Sequence, residues 1–132
     1  MNEFNRTIAS ADPTVRETGS LIASDMVEGT TVYRTDGDKI GHIERIMIDK
    51  RTGKAAYAVM NFGGFLGLGE ESYPLPWSVL DYNDELGGYE INVPESQLRS
   101  APTYDSITDW NRPDRYREAG IFGYYGVPPY WI

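Results

Sequence analysis

Between Thr30 and Val93 the chain never runs far before meeting a turn signal. Asp36-Gly37, the "KRTG" of Lys50 to Gly53, the glycine-rich Gly63 to Gly69 and the "NDELGG" of Asn83 to Gly88 cut it into short apolar or β-branched runs. Asp-Gly in particular is a strong hairpin signal. Runs of this length with turns at this spacing read as strands. They are "TTVYRT" from Thr30, "IGHIERIMID" from Ile40, "KAAYAVMNF" from Lys54, "ESYPLPW" from Glu71, "SVLDY" from Ser78 and "YEINV" from Tyr89. The expected fold class is mainly β, a small barrel or sandwich of five to six short strands.

Several runs carry finer information. Ile46 and Ile48 alternate while Ile43 is out of phase, which predicts a β-bulge near Glu44-Arg45. Lys54 to Phe62 is apolar at both parities, as in a strand buried on both faces or lying mid-sheet. Pro74 and Pro76 cannot donate to a ladder, so their strand belongs at an edge or a barrel seam. "PESQLRSAP" predicts one short helix, with Pro94 in its first turn and Pro102 just past its end.

At 132 residues the chain is the size of one domain. Residues 1–20 read as a flexible arm, 21–102 as the barrel, and 103–132 as an aromatic extension. That extension holds Tyr104, Trp110, Tyr116, Phe122, Tyr124, Tyr125, Tyr130 and Trp131, eight of the seventeen aromatic residues, whereas disordered tails are depleted in them. "NRPDRYREAG" predicts a short helix with Asn111 as N-cap and Gly120 at its stop. Pro128 and Pro129 keep "YYGVPPYWI", Tyr124 to Ile132, from forming a long helix, so an extended segment that lays its rings on an apolar surface is expected. A barrel this small is marginal alone. The extension is therefore expected to be ordered on a barrel, that of a second subunit first and its own second.

Charge and composition exclude several functions. A net charge of −8 opposes binding to nucleic acid, which needs a concentrated basic surface. It also disfavours docking on an anionic membrane by charge. With no cysteine, disulfides and thiolate chemistry are excluded. No stretch approaches the roughly 20 apolar residues of a membrane helix. Nor does the N-terminus show the apolar core of a signal peptide, so the expected location is cytoplasmic.

Candidate chemistry is thin. The order Gly64-x-x-Gly67-x-Gly69 inverts a dinucleotide fingerprint, and Glu70 and Glu71 follow where a phosphate loop places lysine and a hydroxyl residue. The stretch reads instead as a sharp β-corner that presents Phe65 and Leu66 to the core or to a partner. His42 is the single histidine, and it stands in a strand beside Gly41. Asp36 and Asp38 lack the spacing of a calcium loop. Glu70-Glu71 and Asp84-Glu85 form no acid/base pair, and no serine has a nucleophile context. No catalytic, metal or cofactor residue is assigned.

One stretch resembles a known family. The marks are Val32-Tyr33, Asp36-Gly37, Ile40-Gly41, Ile43-Glu44, Asp49-Lys50 with Gly53, Phe62 to Gly67, Pro76-Trp77 and Leu80. Across roughly Leu21 to Pro102 they are similar to the PRC-barrel domain of small bacterial proteins. That family includes the cytoplasmic domain of the photosynthetic reaction-centre H subunit and the C-terminal domain of a ribosome maturation factor. The resemblance implies a PRC-type barrel that contacts other proteins rather than catalysing a reaction.

The function expected is thus a non-enzymatic interaction module, a homodimer or an adaptor. Its contact residues would be Phe65, Leu66, Trp77, Trp110, Tyr116, Phe122, Tyr124, Tyr125, Tyr130 and Trp131. The alternative is a small-molecule binder that holds an apolar or quinone-like ligand in the barrel mouth near Phe65, Trp77 and Tyr82.

Overall fold

The computed structural model describes residues 16–62, 71–104 and 114–131. The described chain begins with a Glu17–Ile22 bridge and a short helix, α1, Ser24–Val27. Six strands follow: β1 Thr31–Arg34, β2 Lys39–Ile48, β3 Ala55–Phe62, β4 Glu71–Pro76, β5 Asp81–Asn83 and β6 Gly88–Ile91. A 3-10 turn, Trp77–Val79, joins β4 to β5; helices α2, Glu95–Arg99, and α3, Asp114–Tyr125, come last.

The strands form one sheet in the order β4-β3-β2-β1-β6-β5. All neighbours are antiparallel except β1 and β6, which are parallel. Consecutive strands β4 and β5 therefore sit at opposite ends of the order. Five strand spacings in a flat sheet would separate them by about 24 Å. The link from Pro76 to Asp81, part of it wound as a 3-10 turn, spans at most roughly 17 Å even fully extended. The sheet has to curl until its two edges approach, which is the barrel that the sequence predicts.

Bulges assist the curl. Ile43 faces Met60 while Arg45 faces Val59, so Glu44 is the extra residue, at the predicted place. The curled interior holds Val32, Ile43, Ala58, Met60, Phe62, Tyr73, Leu75, Tyr89 and Ile91, closed by Val27, Leu80 and Leu98. Strand β3 is buried on both faces, as its double apolar parity requires. Ala58 and Met60 point inward, and Tyr57 and Val59 belong to a second cluster outside.

That second cluster is completed by α3. Ile121, fully buried, packs with Ala56, Tyr57 and Val59, flanked by Met47, Tyr104, Tyr125 and Tyr130. The described part of the aromatic extension thus lies on its own sheet in this chain. Strand β4 is an edge, as predicted: it pairs only with β3, and Pro74 and Pro76 are buried there. Because the two prolines share parity, both missing N–H groups fall on one side of the strand.

Three features of the fold differ from what the sequence predicts. Helix α3 continues through Gly120 and ends after Tyr125, where Gly126 takes φ +68° and Val127 N–H donates to the Phe122 carbonyl. A glycine in mid-helix costs only about 1 kcal/mol, which the burial of Ile121 and Phe122 outweighs. Helix α1 was not expected; it is too short for periodicity to reveal, and Val27 holds it to the core. The parallel β1–β6 pair was not expected either. The glycine corner of Gly63 to Gly69 and the Asn111 cap lie outside the described residues.

Candidate functional site

Of the residues expected to make contacts, Phe65, Leu66 and Trp110 lie outside the described residues, as does the side chain of Tyr116. The others fall into two groups.

The first group belongs to the extension. Phe122, about 100° further round the helix than Ile121, belongs to neither cluster on the sheet, yet it is 2% exposed. Its cover comes from the chain itself. After Gly126 the backbone turns back and sets Tyr130 and Trp131 against Phe122, with ring centroids 5.9 and 5.6 Å away and 5.2 Å from each other. These tilted and edge-on contacts are favourable beyond the area they bury. The Tyr130 hydroxyl donates to Asp49 Oδ2 at 3.1 Å, tying the C-terminal turn to the loop between β2 and β3. Tyr124 and Tyr125 stack edge-on at 5.1 Å, and the Tyr124 hydroxyl reaches the Gln97 carbonyl in α2. Tyr125 touches both apolar clusters, and its buried hydroxyl has no hydrogen-bond partner among the described residues. Burial, with Tyr124 and Tyr73 adding to it, pushes that hydroxyl far above the ordinary tyrosine range, so it stays neutral.

The second group stands at the barrel seam. Trp77 opens the 3-10 turn and packs edge-on to Tyr89 at 5.4 Å; Tyr82 does so from the other side at 5.1 Å. Tyr89 is the buried centre of this row, and the sequence reading omits it. The signal that finds it is the hairpin: Tyr82 and Tyr89 are equidistant from the turn at Asp84 to Gly87 and pair directly. The Tyr82 hydroxyl donates to Glu17 at 3.0 Å. Trp77 and Tyr82 thus both pack on the Tyr89 ring, while Phe65, the third residue expected at a barrel mouth, lies outside the described residues.

Beside the seam lies an open groove of about 270 Å³, lined by Ser78, Val79, Asp81, Asn92, Val93, Gln97 and Tyr125. Three parts of the fold meet in it: the turn after β4, the stretch from β6 into α2, and the end of α3.

A polar row crosses the sheet's outer face beyond α3. His42, Asn61 and Ser72 are paired neighbours on β2, β3 and β4, and the bulge brings Glu44 beside them. Ser72 Oγ lies 2.9 Å from Asn61 Oδ1 and 3.2 Å from Glu44 Oε2; His42 Nε2 lies 3.2 Å from Asn61 Nδ2. Asn61 stands between serine and histidine, so the nucleophile–base contact of a hydrolytic triad is not made. Among the described residues, no three His, Asp or Glu side chains converge to hold a metal, and no helix is long and apolar enough to cross a membrane.

A strand order that forces closure, a seam closed by a 3-10 turn and a short helix after the last strand together define a small β-barrel protein. A family model for the PRC-barrel domain matches residues 21–98, more than half of the chain, and the chain belongs to that family. No curated protein matches it.

Proposed function

We propose that this chain is a non-catalytic protein-interaction module, acting as a homodimer or as an adaptor. One observation carries the reading: the extension presents Tyr124, Tyr125, Tyr130 and Trp131 half-exposed on the outer side of the barrel. Tyrosine and tryptophan with one face packed and the other open are the residue types that dominate interface energy. The self-contained hydrogen bonds of the His42, Asn61 and Ser72 row support the non-catalytic part. The test compares the full chain with one lacking residues 103–132, by light scattering and by capture from the native host. A dimer, or a defined captured protein, that depends on the extension is the expected result. A monomer whose captured proteins are unchanged by the deletion would reject the reading.

A further inference from the structure

The seam groove combines three properties that point to one kind of occupant. The first is charge. Between Lys54 and Arg99 the sequence has seven acidic residues and no lysine, arginine or histidine. These residues supply β3 to β6 and most of α2, and no lysine, arginine or histidine is among the residues that line the groove. Several of the acids are already engaged: Glu95 pairs with Arg34 and Arg99, and Glu90 accepts from Asn83. Asp81 is the charged residue in the groove lining, and it makes no ion pair among the described residues.

The second property is size. At about 270 Å³ the groove falls just under the roughly 300–1,000 Å³ of typical small-molecule sites. It suits one side chain better than a cofactor. The third is its lining. Asn92, Gln97 and Ser78 bring side-chain oxygens that accept hydrogen bonds, and Val79, Val93 and Tyr125 bring apolar surface. A carboxylate with neutral acceptors and an aromatic ring is a set that favours a cation on an aliphatic stem.

We propose that the groove seats a lysine or arginine side chain from an exposed basic segment of a partner protein, with Asp81 as its counter-ion. Asn92 and Gln97 take the remaining N–H donors, and Tyr125 and Val79 pack on the stem. Tyr125 comes from α3, so the site is complete only when the extension is docked on the barrel. The inference rests on the interaction reading above and gives its partner a chemistry.

The test titrates the full chain with the peptide acetyl-Gly-Arg-Gly-Lys-Gly-amide, followed by backbone amide shifts. The same peptide with glutamine at both basic positions, and guanidinium chloride, serve as controls. Shifts are expected to centre on Asp81, Asn92 and Gln97, and to weaken as salt rises. Asp81→Asn is expected to weaken binding at least about tenfold, the scale of losing one charge-assisted contact, while Asp84→Asn outside the groove changes little. Shifts spread evenly over Asp84, Glu85 and Glu90, or binding indifferent to Asp81→Asn, would mean diffuse charge attraction and overturn the proposal. So would equal saturation by guanidinium ion, or no shift at about 5 mM peptide, where even single-contact affinities register. The two readings fail separately. Host-protein capture that survives Asp81→Asn but not deletion of 103–132 keeps the interaction role and removes the groove from it.

Discussion

The Tyr124 hydroxyl donates to the Gln97 carbonyl at 2.5 Å and so joins the last helix of the chain to the helix that follows the barrel's last strand. This bond and the burial of Ile121 hold the extension on the sheet by different means, and the two separate by mutation. Tyr124→Phe keeps the ring and removes one hydrogen bond, for an expected loss of about 1 kcal/mol. Ile121→Ala opens a cavity at a fully buried position, for an expected loss of about 3 kcal/mol. Urea unfolding of both variants checks the order. Equal losses would mean that apolar burial is not the main hold.

Trp77 is expected to stabilise the seam rather than to hold a ligand. It packs edge-on to Tyr89 and against the interior cluster, at the link that brings the two sheet edges together. Trp77→Ala is expected to cost about 3 kcal/mol, the low end for a large aromatic because the ring is half-exposed. A loss below about 1 kcal/mol, within the range of ordinary surface substitutions, would move Trp77 from closure to partner contact.

Gly41 shows how close the strands come. A Cβ there would fall well inside contact distance of the Asn61 carbonyl oxygen, with Met60 Cγ 3.3 Å away. Backbone cannot yield as a flexible side chain can. Gly41→Ala is therefore expected to destabilise by about 1–3 kcal/mol, the usual cost of overpacking. A neutral effect in thermal unfolding would show that β2 and β3 can separate there.

The elements legible in the sequence are those set by neighbours along the chain. The Asp36-Gly37 hairpin, the bulge at Glu44, the doubly buried β3 and the proline edge of β4 follow from parity and turn chemistry within about ten residues. The parallel pairing of Val32 with Tyr89 does not, because parallel register depends on a crossover whose path no local pattern records. The same limit applies to the site. The aromatic extension is visible as composition. The groove is not: it is assembled from Asp81, Asn92, Gln97 and Tyr125, which three separate stretches supply and only the closed seam brings together. Helix α3 outlasts its expected stop at Gly120 for a related reason, since Ile121 and Phe122 gain more from packing than the glycine loses.

Asp49 ties the fold to pH. Its Oδ1 accepts from the Arg51 and Thr52 N–H groups, and its Oδ2 accepts from the Tyr130 hydroxyl. The Thr52 and Arg51 bonds, with a smaller part from Tyr130, hold its carboxyl down at about 2, below the ordinary 3.8. A carboxylate whose folded value is depressed stabilises the fold above its unfolded value, and that contribution is lost as pH falls through the folded one. The stability that Asp49 supplies is therefore complete above about pH 4 and disappears between about pH 4 and pH 2. Asp49→Asn keeps the side-chain oxygen but removes the charge, so it should flatten this part of the profile and lower stability at neutral pH. Melting temperature followed from pH 7 to pH 2 in both chains, with the Asp49 carboxyl titrated by NMR, checks it. Because Tyr130 shares the carboxylate, the C-terminal turn should loosen in the same window. If protease cleavage near Tyr130 stays constant while Asp49 titrates, the bond to Asp49 is not what holds that turn, and the ring packing on Phe122 with the longer hydroxyl contact to Glu118 is.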